Sequence, residues 1–143
     1  MKNLLIVVDS TAPYNQYAAY LDAFMAKQIS KVPKVTIFYG PNCVGLTKKG
    51  ELAKIPIADE VKELIAGQLE GLSASDLPDN LEQMARFQKE QLGVEIQSCG
   101  TANVLEGFAE SIEDVSNIDD FFVPQKLPQV WANYAEADKI LFW

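Results

Sequence analysis

The chain has no histidine and a single arginine, Arg86. Without imidazole, serine–histidine and cysteine–histidine catalysis, histidine general-base chemistry and most zinc sites are excluded. The net charge is −8, and Lys48, Lys49 and Lys54 are the densest positive charge, with Glu51 among them. Phosphate contacts need clustered Lys or Arg, so nucleic-acid binding is disfavoured. An acidic surface is equally unsuited to anionic membranes. Neither GxGxxG nor GxxxxGK occurs, which leaves no glycine-rich loop to cradle a phosphate. Long apolar runs are also missing. Leu4 to Val8 stops at Asp9, too short for a secretory core or a membrane span. A cytoplasmic protein without metal or cofactor is the expectation. Its two cysteines, Cys43 and Cys99, form no CxxC and are expected as reduced thiols.

What is present is ordinary for a globular protein. The 143 residues are 48% hydrophobic and 22% charged, which suits a single domain over residues 1–143 with one sizeable core. Asn3 to Val8 reads as a strand buried on both faces, the mark of a parallel sheet covered by helices. After the Asp9–Pro13 loop, Tyr17, Tyr20, Leu21, Phe24, Met25 and Ile29 recur at near-helical spacing, giving a helix over Tyr14–Ser30. Lys34–Tyr39 is a β-branched and aromatic strand, followed by a turn-rich loop, Gly40 to Gly45. A helix is predicted over Ala58–Leu72. A second follows to Leu92, opened by a capping box at Asp79 and closed by Gly93.

Val94–Ser98 then reads as a short strand and Thr101–Glu110 as a helix with Gly107 inside it. Ser111–Gln125 reads as an acidic loop or short helix. Its Phe121 and Phe122 serve either as core packing or as a lip over the site and an oligomer contact. A last helix, entered near Pro128 with Leu127, Val130, Trp131 and Tyr134 on one face, leads into a final strand, Lys139–Trp143. Strands alternating with helices give an α/β fold: a three-layer sandwich with a mainly parallel sheet of about five strands and helices on both faces.

The chemistry is expected at Cys99, where a strand turns into a helix. In open α/β sheets ligands collect at the carboxyl ends of strands, and a helix start favours a thiolate. Gly100 leaves the neighbouring backbone N–H groups unshielded, and Thr101 follows. Tyr39, Asn42 and Cys43 fall at the same edge after another strand and are candidate binding residues, with Asp9, Tyr14 and Asn15 nearby in sequence pattern. Turn formation explains the asparagines equally well, and a small buried hydrophobe is the plain alternative for each cysteine.

Four stretches resemble the DsrE/DsrF/TusD family of small sulfur-relay proteins. They are Leu4–Val8, then Phe38-Tyr39-Gly40, then Gly93 to Cys99 with Gly107 eight residues after the cysteine, and finally Ala137 to Phe142. The resemblance implies a DsrE-like domain, assembly into trimers or hexamers, and a cysteine matching Cys99. That cysteine would take sulfane sulfur from a donor protein as a persulfide and pass it to an acceptor. Glu106 stands where related sequences often carry a basic residue, Phe121 to Pro124 replaces a glycine-containing loop, and Cys43 has no counterpart. Two rival readings remain beside the sulfur relay. One is a non-catalytic small-ligand-binding or assembly subunit of the same fold. The other is a flavodoxin-like redox protein, which would need a phosphate loop after the first strand.

Overall fold

An uncharged, mostly aliphatic strand has to be covered on two sides, and the whole chain is arranged to do this for β1 (Asn3–Val8). The computed structural model describes residues 1–143. β1 pairs in parallel with β2 (Lys34–Tyr39) on one side and β5 (Lys139–Phe142) on the other. β2 pairs with β3 (Glu95–Cys99), and β3 with the three-residue β4 (Val123–Gln125). The sheet is entirely parallel, in the order β4-β3-β2-β1-β5. Around it lie α1 (Pro13–Gln28), α2 (Asp59–Ala66), α3 (Leu81–Leu92), α4 (Gly100–Leu105) and α5 (Leu127–Glu136). The three-layer α/β sandwich expected from the alternation of strands and helices is the observed architecture.

The two faces of the sheet are covered unequally. Leu4, Ile6 and Val8 of β1 share one face with Val35, Ile37 and Tyr39, under Ala19, Tyr20 and Ala23 of α1 and Leu81, Met84 and Ala85 of α3. This is the main core, and each Val, Leu, Ile or Met side chain in it contributes about 1.5–3 kcal/mol on burial. A polar chain runs through it. The Tyr39 hydroxyl donates to Gln16 Oε1 at 2.6 Å, the Tyr20 hydroxyl lies 2.9 Å from it, and Gln16 Nε2 donates to the Ser10 carbonyl at 2.8 Å. On the other face Leu5, Val7 and Phe38 form a smaller cluster, with Val130, Tyr134 and Ala137 of α5 against it.

Several elements differ from the sequence expectation, each for a local reason. α2 stops at Ala66 rather than Leu72, and residues 67–78 carry a Gly71 at φ +77° and a short 3-10 helix, Ala74–Asp76. α4 has six residues rather than ten, because Gly107 takes φ +85° and ends the segment instead of lying inside a helix. The Gly40–Gly45 loop is a 3-10 helix, Pro41–Thr47. β4 lies in the stretch read as a loop; with three residues, one of them proline, it has no periodicity to find. Phe121 and Phe122 precede it and are 3% and 2% exposed in the main core, Phe122 edge-on to Tyr39. They are therefore neither a lip over Cys99 nor an oligomer contact. Gly93 closes α3 as expected, in the left-handed region.

The N-cap of α3 is Asn80, not Asp79. Asn80 Oδ1 accepts the Gln83 N–H at 2.9 Å, while Asp79 pairs with Lys62 at 2.5 Å. Asn80→Ala is expected to cost about 1 kcal/mol in urea unfolding through the lost cap. An unchanged midpoint would show that this bond carries no stability.

Candidate functional site at the carboxyl edge of the sheet

β3 ends at Cys99, and the register fixes where its side chain goes. Phe38 pairs with Gln97, and Val7 with Phe38, so Gln97 and, two residues on, Cys99 lie on the face of Leu5 and Val7. The Cys99 side chain is 8% exposed and packs in the smaller cluster with Leu5, Val7, Phe38, Val44 and Ala102. Tyr134 of α5 packs against the same cluster. Cys99 is also the N-cap of α4, without a side-chain capping bond. The sequence placed the thiol at the start of a ten-residue helix; the field it meets is that of a helix of six residues.

The Asp9 carboxylate, just after β1, organises the edge beside this cluster. Asp9 accepts the Asn42 N–H at 2.8 Å and Asn42 Nδ2 at 2.6 Å. It nests against Gly40, where an added Cβ would sit 2.4 Å from Asp9 Oδ1. That close approach requires a glycine after β2. The Asp9 N–H in turn donates to the Trp143 carbonyl at 2.8 Å, joining the ends of β1 and β5. Burial, then the negative charges of Asp9 and Cys99, push the Tyr134 hydroxyl above its ordinary pKa, so it stays a neutral donor.

The structure brings together some of the residues singled out from sequence and separates others. Gly100 follows Cys99 and is packed tightly: an added Cβ would lie 2.4 Å from Ile112 Cγ2 and 2.9 Å from the Ile112 carbonyl oxygen. Its role here is close approach of the 112 segment, not an open turn. Thr101 is half-buried in α4. Asn42 is exposed and engaged by Asp9. Tyr39 lies on the opposite face, fully buried against Tyr20 and Gln16. Cys43 belongs to that opposite face too. It is 1% exposed, its Sγ donates to the Val8 carbonyl at 3.0 Å, and burial, aided by Asp9, pushes the thiol up to about 12. Tyr14 and Asn15 are in α1. Val44 and Tyr134 were not marked as site residues; their placement depends on how the 3-10 helix and α5 dock, which no local pattern encodes. No three acidic or cysteine side chains converge as metal ligands.

Fold and site together define an α/β protein with an all-parallel five-stranded sheet and a cysteine at its carboxyl edge. The crystal structure of the ychN protein from E. coli has the same fold. It superposes with a TM-score of 0.63 over 100% of both chains, at 16% sequence identity. No protein-family model and no curated protein sequence matches the chain. No helix is long and apolar enough to cross a membrane.

Gly100→Ala is expected to destabilise the fold by about 1–3 kcal/mol, since the new methyl meets backbone as well as side chain. Chemical denaturation checks this. A loss below a few tenths of a kcal/mol would mean that the 112 segment moves away freely.

Proposed function

We propose that the protein is a sulfur carrier in which Cys99 accepts and passes on sulfane sulfur. The observation that carries the reading is the placement of Cys99: the last residue of β3, at the carboxyl edge, with Tyr134 packed against its cluster. The sequence resemblance to the DsrE/DsrF/TusD family and the fold shared with the ychN protein support it.

The chemistry balances without an outside oxidant. The Cys99 thiolate attacks the outer sulfur of a donor protein's persulfide; the donor S–S bond breaks and the donor leaves as a thiolate. Cys99 is then the persulfide, and an acceptor thiolate takes the outer sulfur in the same way. The proton released when Cys99 ionises goes to the departing donor. Tyr134, held neutral, is a hydrogen-bond donor for the sulfur anion formed in either step. Because Cys99 is 8% exposed, exchange requires α5 to shift at Tyr134 and uncover the thiol.

In this reading the chain is a cytoplasmic DsrE-like domain over residues 1–143, assembling as a trimer or hexamer. It works with donor and acceptor proteins and without cofactor, nucleic acid or membrane. Phe121 and Phe122 being buried, the apolar surface for self-association is Leu127 and Trp131 on the outer side of α5, 63% and 71% exposed.

A second reading is favoured by one observation. The Cys99 thiol packs among aliphatic and aromatic groups and makes no hydrogen bond, the condition of a small core residue. The protein is then a non-catalytic ligand-binding or assembly subunit of the same fold. Incubation with a persulfide donor separates the two. Cys99 is expected to gain the mass of one sulfur atom by mass spectrometry, reversibly with thiol, while Cys43 gains none. Tyr134→Phe, which keeps the cover and removes only the hydroxyl, is expected to slow loading. A Cys99 that stays unmodified in both proteins overturns the carrier reading.

A further inference from the structure

The helices covering the main core leave a hole. α2 ends at Ala66, and the segment 67–78, with its short 3-10 helix Ala74–Asp76, lies near α1 and α3 with a space left among them. What remains is an apolar cavity of about 290 Å³ walled by Leu21, Phe24, Ile65, Leu77, Met84 and Phe87. It lies at the small end of the range in which ligand pockets fall, about 300–1,000 Å³. Dry apolar cavities take apolar guests, because the wall atoms lack partners for dispersion contacts. None of these residues belongs to the Cys99 cluster.

One polar side chain reaches the cavity, that of Asp76. Its Oδ2 accepts the Ser73 N–H and the Ser73 hydroxyl, each at 2.9 Å, which orients the carboxylate and keeps it ionised. Its Oδ1 has no partner. A second apolar cleft, around Tyr14, Val61 and Leu64, adjoins through the shared Leu21 and Ile65, and its charged member is Glu60. Both charged residues lining the two spaces are acids. The cation close by, Lys62, is held by Asp79 at 2.5 Å. An apolar hole with only negative charge at its mouth complements a molecule with an apolar body and a cationic head.

We propose that this cavity binds a small lipophilic amine, with its hydrocarbon part among Phe24, Met84 and Phe87 and its ammonium group against Asp76 Oδ1. The site is separate from the sulfur chemistry and stands whether or not Cys99 carries sulfur.

Phenylpropylamine is the probe, with phenylpropanol and phenylpropionate as its neutral and anionic matches. Met84 is the one of the three methionines that lines the cavity, so methyl NMR of Met1, Met25 and Met84 locates binding. The Met84 methyl is expected to shift saturably while Met1 and Met25 stay in place. The amine should bind about threefold more tightly than the alcohol, as an exposed ion pair gives, and the carboxylate most weakly. Asp76→Asn keeps an acceptor for Ser73 and should remove the amine's advantage while sparing the alcohol. In the wild-type protein added salt should shrink the same advantage. A Met84 methyl unmoved at millimolar amine overturns the proposal. So does an amine preference that survives both Asp76→Asn and high salt, or a shift of all three methionines together.

Discussion

Covering β1 on both sides is the constraint on which the rest of the structure depends. Leu4, Ile6 and Val8 point one way and Leu5 and Val7 the other, and none of them tolerates water. Because β2 and β5 flank β1 in parallel, each return crosses the sheet through a helix, and those helices supply the cover. α1 and α3 give the first face a deep core. α5, the six-residue α4 and Val44 of the 3-10 helix cover Leu5 and Val7 in a cluster of 6 buried residues against 23 on the first face, so that side is thinner. A thin cover limits stability but leaves room for local opening, since regions with few buried contacts open at lower free energy. Cys99 lies on the thin side.

The carboxyl edge shows how little polar chemistry is needed to fix a site. One carboxylate, Asp9, ties the residue after β1 to the helix after β2 through Asn42, and the glycine at 40 lets it approach. The 3-10 helix it holds straddles the edge, with Cys43 turned into the main core and Val44 into the cluster around Cys99. The chain has no histidine, and the polar groups of this edge are the Tyr134 phenol and the Asp9 carboxylate.

Most of the architecture was legible in the sequence because it rests on strong local signals. The unbroken run Leu4–Val8, the β-branched Lys34–Tyr39 and the left-handed glycine after Leu92 each state an element and its end. What escaped was non-local. β4 is strand only because β3 offers it an edge, α2 ends at Ala66 with Gly67 as its C-cap, and α4 ends before Gly107, which takes a positive φ. At the candidate site, the place of Cys99 where a strand meets a helix was legible from the chain. The face it occupies follows from register, and its neighbours Val44 and Tyr134 come from segments 55 and 35 residues away. The fate of Tyr39 and Cys43 illustrates the same limit. Tyr39 ends the strand that borders the site and alternation sends its side chain to the far side, while the 3-10 helix turns Cys43 into the same main core.

The separation of the two sulfurs has a chemical outcome of its own. A bridge requires Cα atoms within roughly 7 Å and side chains aimed at each other. Here Cys43 packs in the main core and Cys99 in the smaller cluster, and both are free thiols. With Cys43 bonded to the Val8 carbonyl and packed apart from the Cys99 cluster, the fold keeps its two sulfurs in separate surroundings.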